Sequence, residues 1–145
     1  MSNLKLGALA TVAADVGKPA RMTVINIDTE KPLMDGAGED AKPCYIEFYS
    51  IDSERGRKID RERNLAAVRK MRSGRNRQDD EDPVDLQVET LAALAADWYF
   101  GADADAFTPE AARALFADPE YAWLRKQAYV FVYSEANFIK RSSKS

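Results

Sequence analysis

The chain has 145 residues, 31% of them charged, a formal net charge of −3 and a mean hydropathy of −0.46. That length suits one domain with a modest core, and no apolar run approaches the ~18 residues needed to span a membrane. With no histidine and a single cysteine, Cys44, an internal disulfide, a multi-thiolate zinc site and a His-activated nucleophile are excluded, so the expectation is a protein without a cofactor or catalytic chemistry.

The opening segment has no long apolar stretch, so a signal peptide is not expected. Leu6, Leu9, Ala10 and Ala13 are spaced for a short helix within 4–16, ending before Gly17-Lys18-Pro19. Met22 to Ile27 reads as a strand from its β-branched content, and 31–42 as a turn-rich loop. Cys44 to Ile51 predicts a second strand, with Cys44, Ile46 and Phe48 on one face and Tyr45, Glu47 and Tyr49 on the other. Two strands alone are marginal, so they should pair and pack on a helix or extend a sheet by self-association.

Asp52-Ser53 can cap a helix over 54–71, whose Ile59, Leu65, Ala66, Val68 and Met71 form a narrow apolar stripe among many arginines. A charged linker at 73–82 follows. Three later helices share one kind of start, at Asp82-Pro83, Thr108-Pro109 and Asp118-Pro119, where a capping oxygen precedes a proline that has no N–H to satisfy. Val88, Leu91, Leu94, Ala95 and Trp98 recur at steps of three and four and predict one helix face reaching Trp98. A second helix is expected over 109–117 and a long one over 119–139. The reading is an α+β chain: a small N-terminal β-element plus basic helix over 1–72, the linker, a mainly helical region over 83–140 and a polar tail at 141–145.

Charge is unevenly spread. Between Arg55 and Arg77 ten Lys and Arg stand against Asp60 and Glu62, a net of +8 that leaves −11 for the rest, and Asp79 to Asp82 are all acidic. Arg57, Lys58, Arg61, Arg69 and Arg72 are therefore candidates for charged docking. The adjacent acids, a pI near 5.1 and the lack of interleaved stacking residues argue against a nucleic-acid surface, leaving a solvated face or an acidic partner. Those acids lack an EF-hand's glycine bend and final glutamate, and Gly36 and Gly38 lack the rest of a nucleotide-binding fingerprint. Cys44 is expected as a small buried residue.

Eleven aromatic residues lie between Pro83 and Phe138, more than three short helices readily bury. Trp98, Phe107, Trp123, Tyr129, Tyr133 and Phe138 are the candidate partner contacts, with Trp123, Tyr129 and Tyr133 expected to leave one face exposed.

The order of these motifs resembles the tail assembly chaperones of long-tailed bacteriophages. The likeness is carried by Leu4 to Leu9, by the loop containing Lys31 to Gly36 that leads to a strand, and by Asp52-Ser53 before an arginine-rich helix. It continues through Leu91 to Trp98, Phe107-Thr108-Pro109-Glu110 and Asp118-Pro119 to the final Phe138. The resemblance implies a short-form protein of the host cytoplasm that binds unassembled tail-tube and tape-measure proteins, with homo-oligomers open and no membrane. Other expectations are a structural tail or head-completion component, or a small nucleic-acid-binding regulator.

Overall fold

A computed structural model describes residues 5–73 and 83–139. The expected linker, apart from Ser73, and the polar tail lie outside them.

Three antiparallel strands form the main sheet. Strand β1 (Ala20–Thr23) is followed by two small hairpins, β2 (Ile25–Asn26) with β3 (Lys31–Pro32) and β4 (Met34–Asp35) with β5 (Lys42–Pro43). The chain then enters β6 (Tyr45–Phe48), which pairs with β1, Met22 standing opposite Ile46. The predicted alternation holds: Cys44, Ile46 and Phe48 are buried while Tyr45, Glu47 and Tyr49 are half-buried. Strands β3, β4 and β5, which fall in or at the end of the predicted loop over 31–42, escape a sequence reading because each is two residues long and shows no period.

Helix α1 (Glu54–Ser73) starts as expected, the Ser53 hydroxyl accepting the Gly56 N–H at 3.3 Å. A β-carbon at Gly56 would lie 1.9 Å from the Ile51 carbonyl oxygen, so the turn into α1 requires glycine. Helix α2 (Pro83–Leu94) is shorter than predicted. Its successor β7 (Ala95–Tyr99) begins at the next residue and pairs with β6, giving the sheet order β1-β6-β7. Trp98 therefore lies on a strand, opposite Ile46, rather than at a helix end. The helix stops because its last carbonyls are taken from outside. Tyr49 N–H donates to Leu94 (2.9 Å), and the Arg55 guanidinium, stacked on Tyr49, donates to Ala93 (3.3 Å) and Ala95 (3.5 Å).

Thr108 caps α3 (Pro109–Ala117), its hydroxyl accepting the Ala111 N–H at 3.0 Å. Asp118 caps a 3-10 turn, Pro119–Tyr121, that leads into α4 (Ala122–Tyr133). The single helix predicted over 119–139 is thus divided. Three donors intercept the final carbonyls of α4: Ser134 Oγ at Val130 (2.8 Å), Asn137 Nδ2 at Phe131 (3.0 Å) and Ile51 N–H at Val132 (3.2 Å). A 3-10 turn, Glu135–Phe138, follows, and Ile139 bridges back to Ala14.

The N-terminal helix is likewise a correction. It is a six-residue 3-10 turn, Gly7–Val12, that buries nothing and leaves Leu6, Leu9 and Val12 exposed. Met22, Val24, Ile46 and Phe48 share one core with Leu91, Leu94, Phe116, Ala128 and Val132. Phe48 lies 6.0 Å from Phe116 and 6.2 Å from Phe131, at the junction of sheet and helices. The fold is α+β, and both halves of the chain build its core. Among the described residues no helix is long and apolar enough to cross a membrane.

Candidate partner-binding surfaces

Two surfaces emerge, one apolar and one cationic. The apolar one is an open groove of about 670 Å³ between β1–β2 and α4. Met22, Ile25 and Ile27 line one wall, and Trp123, Val130 and Phe131 the other. Trp123, Gln127 and Val130 recur on α4 at steps of four and three, so they form one stripe along it, with Ser134 just past its end. Ile27 and Val130 are the most exposed of its apolar residues, at 59% and 66%. Lys126 is the charged residue of the lining.

Strand β1 is an edge of the main sheet, and the chain runs on from it through Val24 into β2, which has β3 on one side only. The Val24 N–H donates inward to the Cys44 carbonyl at 3.0 Å, so by the alternation of an antiparallel ladder the backbone of Ile25 faces outward. Gln127 meets it there. Ile25 N–H donates to Gln127 Oε1 at 3.1 Å, and Gln127 Nε2 donates to the Ile25 carbonyl at 2.6 Å. The amide thus supplies one donor and one acceptor, as the peptide group of a neighbouring strand would.

The predicted aromatic contacts divide sharply. Trp98 is half-buried against Phe100 (4.9 Å) and Phe107 (5.3 Å, edge-on), with its indole N–H on the Asp105 carbonyl (3.0 Å). Trp98 and Phe107 close the connector over 101–106. Phe138, only 3% exposed and edge-on to Phe131, is a packing residue and not a surface contact. Tyr129 and Tyr133 pack with ring centres 4.8 Å apart and planes tilted by 54°, the Tyr129 hydroxyl donating to that of Tyr133 at 3.3 Å, and Tyr133 is 44% exposed. Burial, then the Tyr129 hydrogen bond, pushes the Tyr133 phenol up to about 12. Trp123 alone of the six lines the groove. Sequence reading missed Met22, Ile25, Ile27, Gln127 and Val130, because the two walls lie about a hundred positions apart in the chain.

The second surface is α1. Its cations divide between two faces. Arg55 turns to the end of α2, and Arg63 donates to the Leu86 carbonyl (2.7 Å) and to the Thr90 hydroxyl. By contrast Arg57, Lys58, Arg61, Arg69 and Arg72 are all exposed. Of the predicted apolar stripe, Ile59 packs against the core, but Leu65, Val68 and Met71 remain in solvent.

Neither surface brings reactive groups together. The Cys44 thiol is buried and pushed up, first by desolvation and then by the Asp35 carboxylate, which disfavours the nucleophilic thiolate. Asp35 is held by the Tyr99 hydroxyl at 2.8 Å. Among the described residues no group of three His, Cys, Asp or Glu could hold a metal ion. Comparison with family models, with curated proteins and with solved structures finds no match for this chain.

Proposed function

We propose that this protein is a tail assembly chaperone of a long-tailed bacteriophage, acting in the host cytoplasm by reversible, noncovalent binding to unassembled tail-tube and tape-measure proteins. The reading is supported by the order of motifs from Leu4 to Phe138. The observation that carries it is the groove beside β1. An apolar channel with a carboxamide already hydrogen-bonded to an outward-facing strand backbone suits an extended apolar segment of a subunit awaiting polymerisation. Such contacts hide aggregation-prone surface and release it without chemistry.

The occupant enters along β1 and rests its side chains on Ile27, Trp123 and Val130. Its backbone takes up the Ile25 amide and carbonyl in place of Gln127. Mass spectrometry of purified virions, together with co-purification from cells expressing the neighbouring tail genes, tests the assignment. A chaperone co-purifies with tube or tape-measure subunits and is missing from finished particles. Abundant copies in the particle would make the chain a structural component instead.

A further inference from the structure

Lys58, Arg61, Leu65, Val68 and Arg72 follow one another on α1 at steps of three, four, three and four. This is the spacing of a coiled-coil seam, and it runs along the side of the helix turned away from α2. The opposite side is fixed to the body by Ile59 packed against the core and Arg63 on the Leu86 carbonyl. The seam has an internal order: two apolar layers at the centre, Leu65 (56% exposed) and Val68 (43%), with cationic layers on both sides. Met71, 80% exposed, and Arg57 and Arg69 flank it. Among the described residues none of the five cations of the seam and its flanks pairs with a carboxylate; the ion pairs there are Arg21–Glu47 and Arg113–Glu89.

We infer that the outward face of α1 is a docking seam for an acidic amphipathic helix of another protein, with two apolar residues at its centre and Asp or Glu toward its ends. Charge complementarity selects this occupant. A second copy of α1 fits badly in either direction. Parallel in register, Arg61 and Arg72 each meet themselves; antiparallel about the Leu65 and Val68 layers, Arg61 meets Arg72. Each arrangement stacks like charges in a desolvating contact. A bilayer fits no better, because Arg61 and Arg72 lie between the apolar side chains around the helix and would be carried into the lipid with them.

The inference stands on α1 alone and needs nothing from the tail-assembly reading, so either can fail without the other. Its test uses the whole chain and a fluorescent synthetic helix carrying leucine at two central seam layers and glutamate at the outer ones. A twin peptide has lysine for each glutamate. Fluorescence anisotropy at low salt should show binding of the acidic peptide, binding weakened by added salt, and none of the basic twin. The double variant Leu65→Ser/Val68→Ser should lose about tenfold or more in affinity, and Arg61→Glu/Arg72→Glu should exchange preference to the basic twin. Because these side chains are exposed, both variants should melt like the parent. The proposal is overturned by absence of binding or by unchanged preference in the charge-reversed variant. Dimerisation abolished by Leu65→Ser/Val68→Ser would assign the seam to a second copy. Displacement of the peptide by phosphatidylglycerol vesicles would assign it to a membrane surface.

Discussion

Gln127 bridges α4 and the outer edge of β2, satisfying both backbone groups of Ile25 in a groove that is otherwise almost wholly apolar. Replacing it with alanine leaves that donor and acceptor to whatever water the groove admits. Loss of a paired, partly buried group costs about 1–2 kcal/mol, and Gln127→Ala should lower the urea midpoint by a corresponding amount. The same variant exposes a free strand edge, so it should also aggregate more readily at high concentration. Tyr133 makes a second prediction. A phenol whose pKa is raised by folding favours the folded state while it stays protonated. Stability is therefore complete below the unfolded tyrosine range near ~10 and declines as pH climbs through about 12. Urea titrations at the two ends of that window should show a decline in the parent that is smaller in Tyr133→Phe. Were the decline identical in both, the phenol would not be the responsible group.

Among the elements, the parts legible in the sequence are those governed by local rules. The buried set Cys44, Ile46 and Phe48 follows from strand alternation, and the caps at Ser53, Thr108 and Asp118 follow from short oxygen-bearing side chains before a helix. What failed was decided by partners distant in sequence. The step of three and four residues continues from Leu91 through Trp98, yet Arg55 and Tyr49 take the carbonyls of α2 and β6 recruits the next five residues as β7. Nothing in residues 91–99 announces either event. The groove is hidden for the same reason, and Gln127 carries no signal of its own. Gly56 was equally silent, although its lack of a side chain permits the chain to pass beneath Ile51. Gly56→Ala should cost about 1–3 kcal/mol or more through overpacking against backbone. By comparison, Leu65→Ala, on the exposed side of the same helix, should stay within about 0.5 kcal/mol. A denaturation series of the two variants distinguishes a requirement at the helix start from a general intolerance of change in α1.

Over the whole molecule, β7 joins what the sequence presents as a β-containing half and a helical half. It completes the sheet with residues from beyond α2, and the shared core places Ile46 and Phe48 among Leu91, Phe116 and Val132. The resulting body carries its two candidate surfaces on different elements, the groove on β1–β2 and α4 and the cationic seam on α1. That separation would let one molecule hold an apolar segment while charge steers a second contact. The most direct trial of the chaperone reading is light scattering from tape-measure protein diluted out of denaturant. An equimolar amount of the parent chain should keep it in solution, whereas Val130→Glu, which places a charge at the most exposed apolar residue of the groove, should not. A parent chain without effect, or a Val130→Glu variant that protects equally well, would contradict the account.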